Sequence, residues 1–214
     1  MHTARPYDPL ADERNALMAP AFALALAASF GSVDRFREAC VAFGAAPGAG
    51  RLLLEFRADA ARLALRWSGD GTPAGAEIAV IERTKAPDWA ASYERYQQAV
   101  HEASDGAGCD ASELSDNGAQ AAVLDVRRAG VFEQAGSMLP GARWCDPARV
   151  DDWAGELPAG RPVVVYCIYG HEVGRSTALR LRAAGVDARY LVGGIDGWTS
   201  AGRPVVAKAA GAAS

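Results

Sequence analysis

The sequence has few residues that could build a metal site. Its three histidines are far apart in the chain, at His2, His101 and His171. None of its four cysteines belongs to a CxxC pair; they are Cys40, Cys109, Cys145 and Cys167. Because zinc sites need clustered Cys and His ligands, we expect no metal. We also expect reduced thiols, because the 214 residues do not resemble a short disulfide-rich framework.

The sequence also lacks a concentration of positive charge. Its formal net charge is −4 and its pI is about 5.4, so we expect neither nucleic acid nor a membrane as a partner. No apolar run reaches the roughly 18 residues of a membrane span. The apolar segment 19–30 follows acidic residues instead of the basic region of a signal peptide. This segment therefore predicts a buried helix, and we expect a cytoplasmic protein.

The first half has the pattern of helices combined with a small sheet. Helical periodicity predicts helices over residues 9–29, 33–43 and 88–103. Pro20 should break or kink the first helix, and Ser32 can cap the second. Alternating apolar residues predict a hairpin and a third strand, over residues 51–56, 62–67 and 77–82. These patterns together predict a small α+β domain.

The second half has a different order of elements. Apolar β-branched runs predict buried strands at 121–126 and 162–167, a helix follows at 174–185, and another strand at 188–192. This order is typical of an α/β domain, in which helices flank a parallel sheet. The intervening segment 104–118 is rich in Ser, Asp and Gly and predicts a linker, with an irregular entrance to the second domain as the alternative. The domains are therefore expected at 9–103 and 119–207.

One cysteine, Cys167, lies in a sequence context that is typical of a reactive thiol. Cys167 ends a buried strand, and a short loop leads from it into the next helix. Backbone N–H groups of such a loop and the positive end of the helix can stabilise a thiolate. Gly170 supplies the backbone freedom that a tight turn needs. A buried structural thiol at the strand end is the alternative interpretation, and the local context alone supports both equally.

Four motifs in the second half resemble the rhodanese family. They are LDVR at 124–127, FEQAGSMLPGAR at 132–143, VVVYCIYGHE at 163–172 and YLVGGIDGW at 190–198, the last followed by Gly202 and Pro204. In the second motif Ser137 stands where the family has His. The resemblance covers roughly residues 119–206, and its motifs follow the family's order. It implies a rhodanese-like fold and a sulfurtransferase.

The resemblance also implies a mechanism. The thiolate of Cys167 would take a sulfane sulfur from a donor such as thiosulfate, a persulfide or a polysulfide, and hold it as a persulfide. A thiol or cyanide would then accept the sulfur, without any cofactor. The implied substrate-binding positions are Ile168, Tyr169, Gly170, His171, Glu172 and Val173.

The residues around Cys167 distinguish sulfur transfer from the reaction of related phosphatases. The loop is shorter than in related phosphatases, and Tyr166 and Val173 stand where those enzymes have His and Arg. Phosphate would therefore lack its bidentate clamp. Glu172 should repel a dianionic donor, so we expect weak thiosulfate activity and a preference for persulfide, polysulfide or protein donors. The acidic loop also favours the alternative of a non-catalytic module that senses sulfide or redox state or binds a partner.

The first half resembles the C-terminal domain of iron/manganese superoxide dismutases. The resemblance rests on FGSVDRFREACVAFGAAPGAGRLLLEF at 30–56, the hairpin that follows, and YERYQQAV at 93–100. The metal ligands of that family are missing, because the segment after the third strand contains no His and Arg51 replaces a Trp. We expect a metal-free domain that serves in homodimer formation, partner recognition or cover of the Cys167 pocket. An unrelated α+β domain remains the alternative.

Overall fold

A computed structural model of the chain describes residues 10, 19–45, 50–69, 73–82, 85–117 and 120–208. Its internal contacts separate two units, one of residues 1–58 and 62–99 and one of residues 59–61 and 100–214. His2 and most of the helical stretch predicted before Pro20 lie outside the described residues. Within the described ranges, no helix has both the length and the apolar character needed to cross a membrane.

The first half combines helices with an antiparallel sheet. Its described elements are α1 (Pro20–Phe30), α2 (Val33–Ala45), β1 (Leu52–Arg57), β2 (Arg62–Trp67), β3 (Ala76–Ile81) and α3 (Trp89–Ala103). β1 lies in the middle of the sheet and pairs with β2 on one side and β3 on the other. The predicted hairpin and third strand are therefore confirmed.

The helix ends follow local chemistry. Pro20 is the first residue of α1, where its missing N–H costs nothing, so the helix begins there: the predicted break is observed, and not a kink. Ser32 caps α2 as predicted, because its Oγ accepts a hydrogen bond from the backbone N–H of Arg35 at 3.0 Å. Phe22 and Leu26 of α1 and Phe36 of α2 are fully buried and form part of the core of this unit.

The second unit contains a five-stranded parallel sheet in the order β4-β9-β8-β5-β7. Its strands are β4 (Gly108–Cys109), β5 (Ala122–Asp125), β7 (Arg143–Trp144), β8 (Val163–Tyr166) and β9 (Ala188–Leu191). A separate antiparallel pair is formed by β6 (Ser137–Met138) and β10 (Val206–Ala207). The helices are α4 (Ala111–Asn117), α5 (Ala129–Gln134), α6 (Val150–Trp153), α7 (Glu172–Ala183) and α8 (Gly194–Ser200). The predicted α/β fold with flanking helices is confirmed.

The segment predicted as a linker is part of this sheet. Residues 104–118 contain β4 and α4, and β4 is an edge strand parallel to β9. Composition suggested a linker because β4 has only two residues and most residues of α4 are polar. Asp110 in fact caps α4, since its carboxylate accepts a hydrogen bond from the backbone N–H of Glu113 at 2.8 Å.

β8 is central in the sheet and is buried on both faces. Val163 and Val165 belong to one apolar cluster, and Val164 and Tyr166 belong to the cluster on the opposite face. All four residues are at most 4% exposed. A continuous run of apolar residues is what a strand covered by helices on both sides requires. This covered strand delivers Cys167 to the carboxyl edge of the sheet.

Candidate active site

Cys167 lies between the end of β8 and the start of α7, at the edge where the parallel strands end. Its side chain is 7% exposed. The helix begins at Glu172, earlier than the predicted start at Gly174, so Glu172 and Val173 form its first turn instead of belonging to the loop. His171 is the capping residue, and its side chain makes no capping hydrogen bond. The loop proper is therefore Ile168–Tyr169–Gly170–His171.

The loop and the first turn of α7 direct backbone N–H groups at the sulfur. Burial raises the pKa of the Cys167 thiol, and backbone hydrogen bonds from Gly174, Gly170, His171 and Tyr169 act in the opposite direction. The net effect leaves the pKa above its ordinary value. A ring of N–H donors around a desolvated sulfur can stabilise negative charge on that atom or on a second sulfur bound to it.

Gly174 is required by the close approach of the helix to the sulfur. A Cβ atom at this position would stand 3.3 Å from Sγ of Cys167 and 3.7 Å from its backbone nitrogen. Any larger side chain would therefore occupy the space beside the sulfur. From the sequence, Gly174 is predicted only as the start of a helix. Its contact with the sulfur of Cys167 depends on the direction of α7, which the sequence pattern does not contain.

The loop rests on the segment that follows β9. The backbone N–H groups of Ile195 and Asp196 donate to the carbonyl oxygens of Cys167 and Ile168, each at 3.0 Å. Gly194 permits this approach, because a Cβ there would lie 2.3 Å from the carbonyl oxygen of Ile168. The motif YLVGGIDGW, noticed in the sequence only as a resemblance, is thus the physical support of the Cys167 loop.

Gly170 faces the same segment from the loop side. Its φ of +69° lies in the left-handed region, and a Cβ would meet the carbonyl oxygen of Leu191 at 2.6 Å. Its own carbonyl accepts a hydrogen bond from Nε of Arg175 at 3.2 Å. The predicted need for glycine at this turn is explained by both φ and the lack of space.

A buried polar cluster lies beneath the loop. The carboxylate of Asp125 pairs with Nε of Arg127 at 2.9 Å and accepts a hydrogen bond from the hydroxyl of Tyr166 at 2.8 Å. That hydroxyl accepts in turn from the backbone N–H of Leu139 at 3.1 Å. All three side chains of the cluster are at most 5% exposed. Burial and the nearby carboxylate raise the pKa of Tyr166, so the phenol is neutral. The cluster joins β5, β6 and β8 directly before Cys167.

The side chains that follow Cys167 in the loop include an acidic one, Glu172, and none from Lys or Arg up to Val173. Tyr169 is 55% exposed, and its ring centroid lies 5.8 Å from that of the exposed His171. Ile168 and Glu172 are half-buried, while Val173 is buried. The six predicted binding positions directly follow Cys167. Three of them, Tyr169, Gly170 and His171, act on the sulfur through their backbone N–H groups.

The other cysteines have a different environment. None of the four cysteines, all of which lie in the described ranges, forms a disulfide, and all four are buried. Burial raises the pKa of Cys145, and raises that of Cys109 to about 11. For neither thiol do backbone N–H groups counteract the effect of burial among the principal causes, in contrast to Cys167. Across the described ranges, no three His, Cys, Asp or Glu side chains converge in a way that could hold a metal ion.

A parallel α/β sheet with a cysteine loop at its carboxyl edge defines the class of this unit. Residues 110–201 match the family model of the rhodanese-like domain. The matched segment begins at Asp110 and so includes α4, which the sequence predicted to be part of a linker. The family model does not reach the first half of the chain, where the resemblance to superoxide dismutases stays a prediction.

Several solved structures are similar to this chain. A rhodanese-related protein from Thermoplasma volcanium is 25% identical over 46% of this chain and 96% of its own, with a TM-score of 0.40. A protein from Lactobacillus plantarum is 26% identical over 48% of this chain and 88% of its own, with a TM-score of 0.43. A thiosulfate sulfurtransferase from Pseudomonas aeruginosa is 22% identical over 46% of this chain and 19% of its own, with a TM-score of 0.41. No curated protein matched the chain.

Proposed function

We propose that residues 110–201 act as a sulfurtransferase with Cys167 as the sulfur carrier. The observation that carries this proposal is the loop around the buried sulfur, in which backbone N–H groups of Tyr169, Gly170, His171 and Gly174 lower the pKa of Cys167 against the effect of burial and Gly174 packs directly against Sγ. A structural thiol has no need of such donors, whereas an anionic persulfide does. The family match of this segment supports the same chemistry.

The proposed reaction consists of two displacements. With thiosulfate as donor, the thiolate of Cys167 attacks the outer sulfur, a new S–S bond forms, and the old S–S bond breaks with its electron pair leaving on sulfite. Cyanide or an acceptor thiolate then attacks the outer sulfur of the persulfide. Thiocyanate or a new persulfide leaves, and the thiolate of Cys167 is restored. Electrons and atoms balance without a cofactor.

Donors with less negative charge than thiosulfate fit the site better. Glu172 belongs to the first turn of α7, and Ile168 and Tyr169 bring no positive charge. The negative charge of Glu172 disfavours a dianionic donor more than a neutral or singly charged one. We propose that a persulfide, a polysulfide or a protein donor supplies the sulfur.

A second candidate function, a sensing or partner-binding module without turnover, is favoured by the protonation of the thiol. Burial raises the pKa of Cys167 despite the four N–H donors, so that most of the protein carries the thiol at neutral pH. A slowly formed and long-lived persulfide would serve as a signal. The two candidates differ in whether an acceptor discharges the persulfide with turnover.

Intact-mass spectrometry after incubation with thiosulfate, and separately with glutathione persulfide, tests the proposal. We expect the wild type to gain the mass of one sulfur atom, which cyanide or a thiol removes. Cys167→Ser should gain nothing, and Cys145→Ala, which removes another buried thiol of the same unit, should behave as the wild type. An adduct that forms equally in Cys167→Ser, or in no variant with any donor, would contradict the proposal. A stable adduct without turnover would select the sensing module.

A further inference from the structure

Arg175 is a long cationic side chain that contacts the Cys167 loop. Its Nε donates to the carbonyl oxygen of Gly170 at 3.2 Å. Its Nη1 donates to Oγ of Ser104 at 3.0 Å, and its guanidinium lies 4.3 Å from the ring centroid of Tyr190. The side chain is half-buried and held at three points. It is not one of the predicted site residues.

The peptide that Arg175 contacts is one of those whose N–H faces the sulfur. In a trans peptide the C=O and N–H bonds point in opposite directions, and no cis peptide occurs among the described residues. The carbonyl of Gly170 and the N–H of His171 belong to the same peptide plane. The N–H of His171 lowers the pKa of Cys167 and thus faces its sulfur, so the carbonyl of Gly170 points away from the sulfur, where Arg175 meets it.

We infer that Arg175 is a positioning residue for the sulfur site: by holding the carbonyl of Gly170, it keeps the N–H of His171 directed at Sγ of Cys167. Without the guanidinium, the Gly170–His171 peptide could rotate, because Gly170 tolerates more backbone conformations than any other residue. The N–H of His171 would then be lost to the thiolate and to the outer sulfur of a persulfide.

Ser104 makes this arrangement rigid. Its side chain is fully buried, and its hydroxyl donates to the carbonyl oxygen of His101 at 3.1 Å while it accepts from Arg175. Tyr190, a buried residue of β9, packs its ring against the guanidinium. Both partners are neutral, so they fix the direction of Arg175 without changing the charge near Cys167. An effect of Ser104 on the site must therefore act through the position of Arg175 and not through a charge of its own.

The test is the pH dependence of alkylation of Cys167 by iodoacetamide, followed by peptide mass mapping. We expect Arg175→Met to move the midpoint upward by about one pH unit, and so to slow the reaction about tenfold near neutral pH, as the loss of one charge-assisted hydrogen bond implies. Ser104→Ala should move the midpoint in the same direction by less. The double variant should equal Arg175→Met, because Ser104 acts only through Arg175. Arg182→Met, which removes an exposed arginine from the same helix, should leave the profile unchanged.

An unchanged profile in Arg175→Met, or additive effects of the two substitutions, would overturn the inference. If circular dichroism shows that Arg175→Met is unfolded, Ser104→Ala decides alone, and an unchanged midpoint in that variant overturns the inference. The inference rests on the proposed function only for its effect on sulfur uptake. A shifted alkylation profile without any sulfur adduct would contradict sulfur transfer but support the positioning role of Arg175. A sulfur adduct with an unchanged alkylation profile would support sulfur transfer and contradict the positioning role.

Discussion

Replacing Gly170 by alanine isolates the contribution of the loop backbone to the site. Gly170 and Gly185 both have positive φ, +69° and +83°, but they differ in their surroundings. A Cβ at Gly170 would lie 2.6 Å from the carbonyl oxygen of Leu191 and 2.8 Å from the backbone nitrogen of Gly193. A Cβ at Gly185 would meet nothing within 4 Å. Gly185→Ala is therefore a matched control that carries the cost of φ without the clash.

The two variants should differ in stability by the cost of the clash. The left-handed conformation costs a residue with a Cβ roughly 1–2 kcal/mol, and this is the whole loss expected for Gly185→Ala. Crowding against fixed backbone adds about 1–3 kcal/mol, so Gly170→Ala should lose about 2–5 kcal/mol in total. Native-state hydrogen exchange at the amides of β8 measures these losses within the second unit alone.

The same pair of variants should differ more strongly in sulfur chemistry. To escape the carbonyl of Leu191, the loop of Gly170→Ala must move away from β9, and the N–H groups of Gly170 and His171 then leave the sulfur of Cys167. We expect sulfur uptake to fall about tenfold or more for Gly170→Ala, as the loss of one or two such hydrogen bonds implies, and to stay unchanged for Gly185→Ala. Equal stability and equal uptake in the two variants would refute the role assigned to the loop.

Three further predictions follow from the site. Glu172→Gln should raise the rate of sulfite release from thiosulfate by about two- to tenfold, because a negative charge beside the loop is removed, while a neutral polysulfide donor should gain little; no gain with thiosulfate would remove the argument on donors. Tyr166→Phe should lower the free energy of unfolding by about 1–3 kcal/mol, because the buried Asp125 carboxylate and Leu139 N–H each lose a partner; a smaller loss in a urea titration would mean that these groups find others. Burial raises the pKa of Cys167 in the folded state, so the folded protein retains this proton more tightly; its contribution is complete below the unfolded pKa of about 8.5 and is lost as pH rises through the folded pKa. As pH rises above about 8.5, the free energy of unfolding should therefore fall more for the wild type than for Cys167→Ser. Parallel pH dependences of the two free energies would contradict the raised pKa.

The patterns along the sequence predicted the local elements well where burial imposes a period. The apolar run of β8 predicted a strand covered on both faces, and its two sides do enter two different clusters. The alternation in β1 and β2 predicted a hairpin that the structure confirms. β4 could not be found in this way, because a strand of two residues shows no period and is defined only by its pairing with β9.

The candidate site likewise combines features that the sequence predicts with features that only the tertiary structure determines. The sequence by itself determined that a cysteine ends a buried strand, that a glycine-containing loop follows it, and that a helix begins within a few residues, since these depend on neighbouring residues. Only the tertiary structure decided that Gly174 faces the sulfur, that Gly194 supports the loop, and that Ser104 holds Arg175 across 71 positions of the chain. Such contacts join segments that are distant in sequence, and their geometry comes from how β8, β9 and α7 pack together. Local propensity contains no information about that packing.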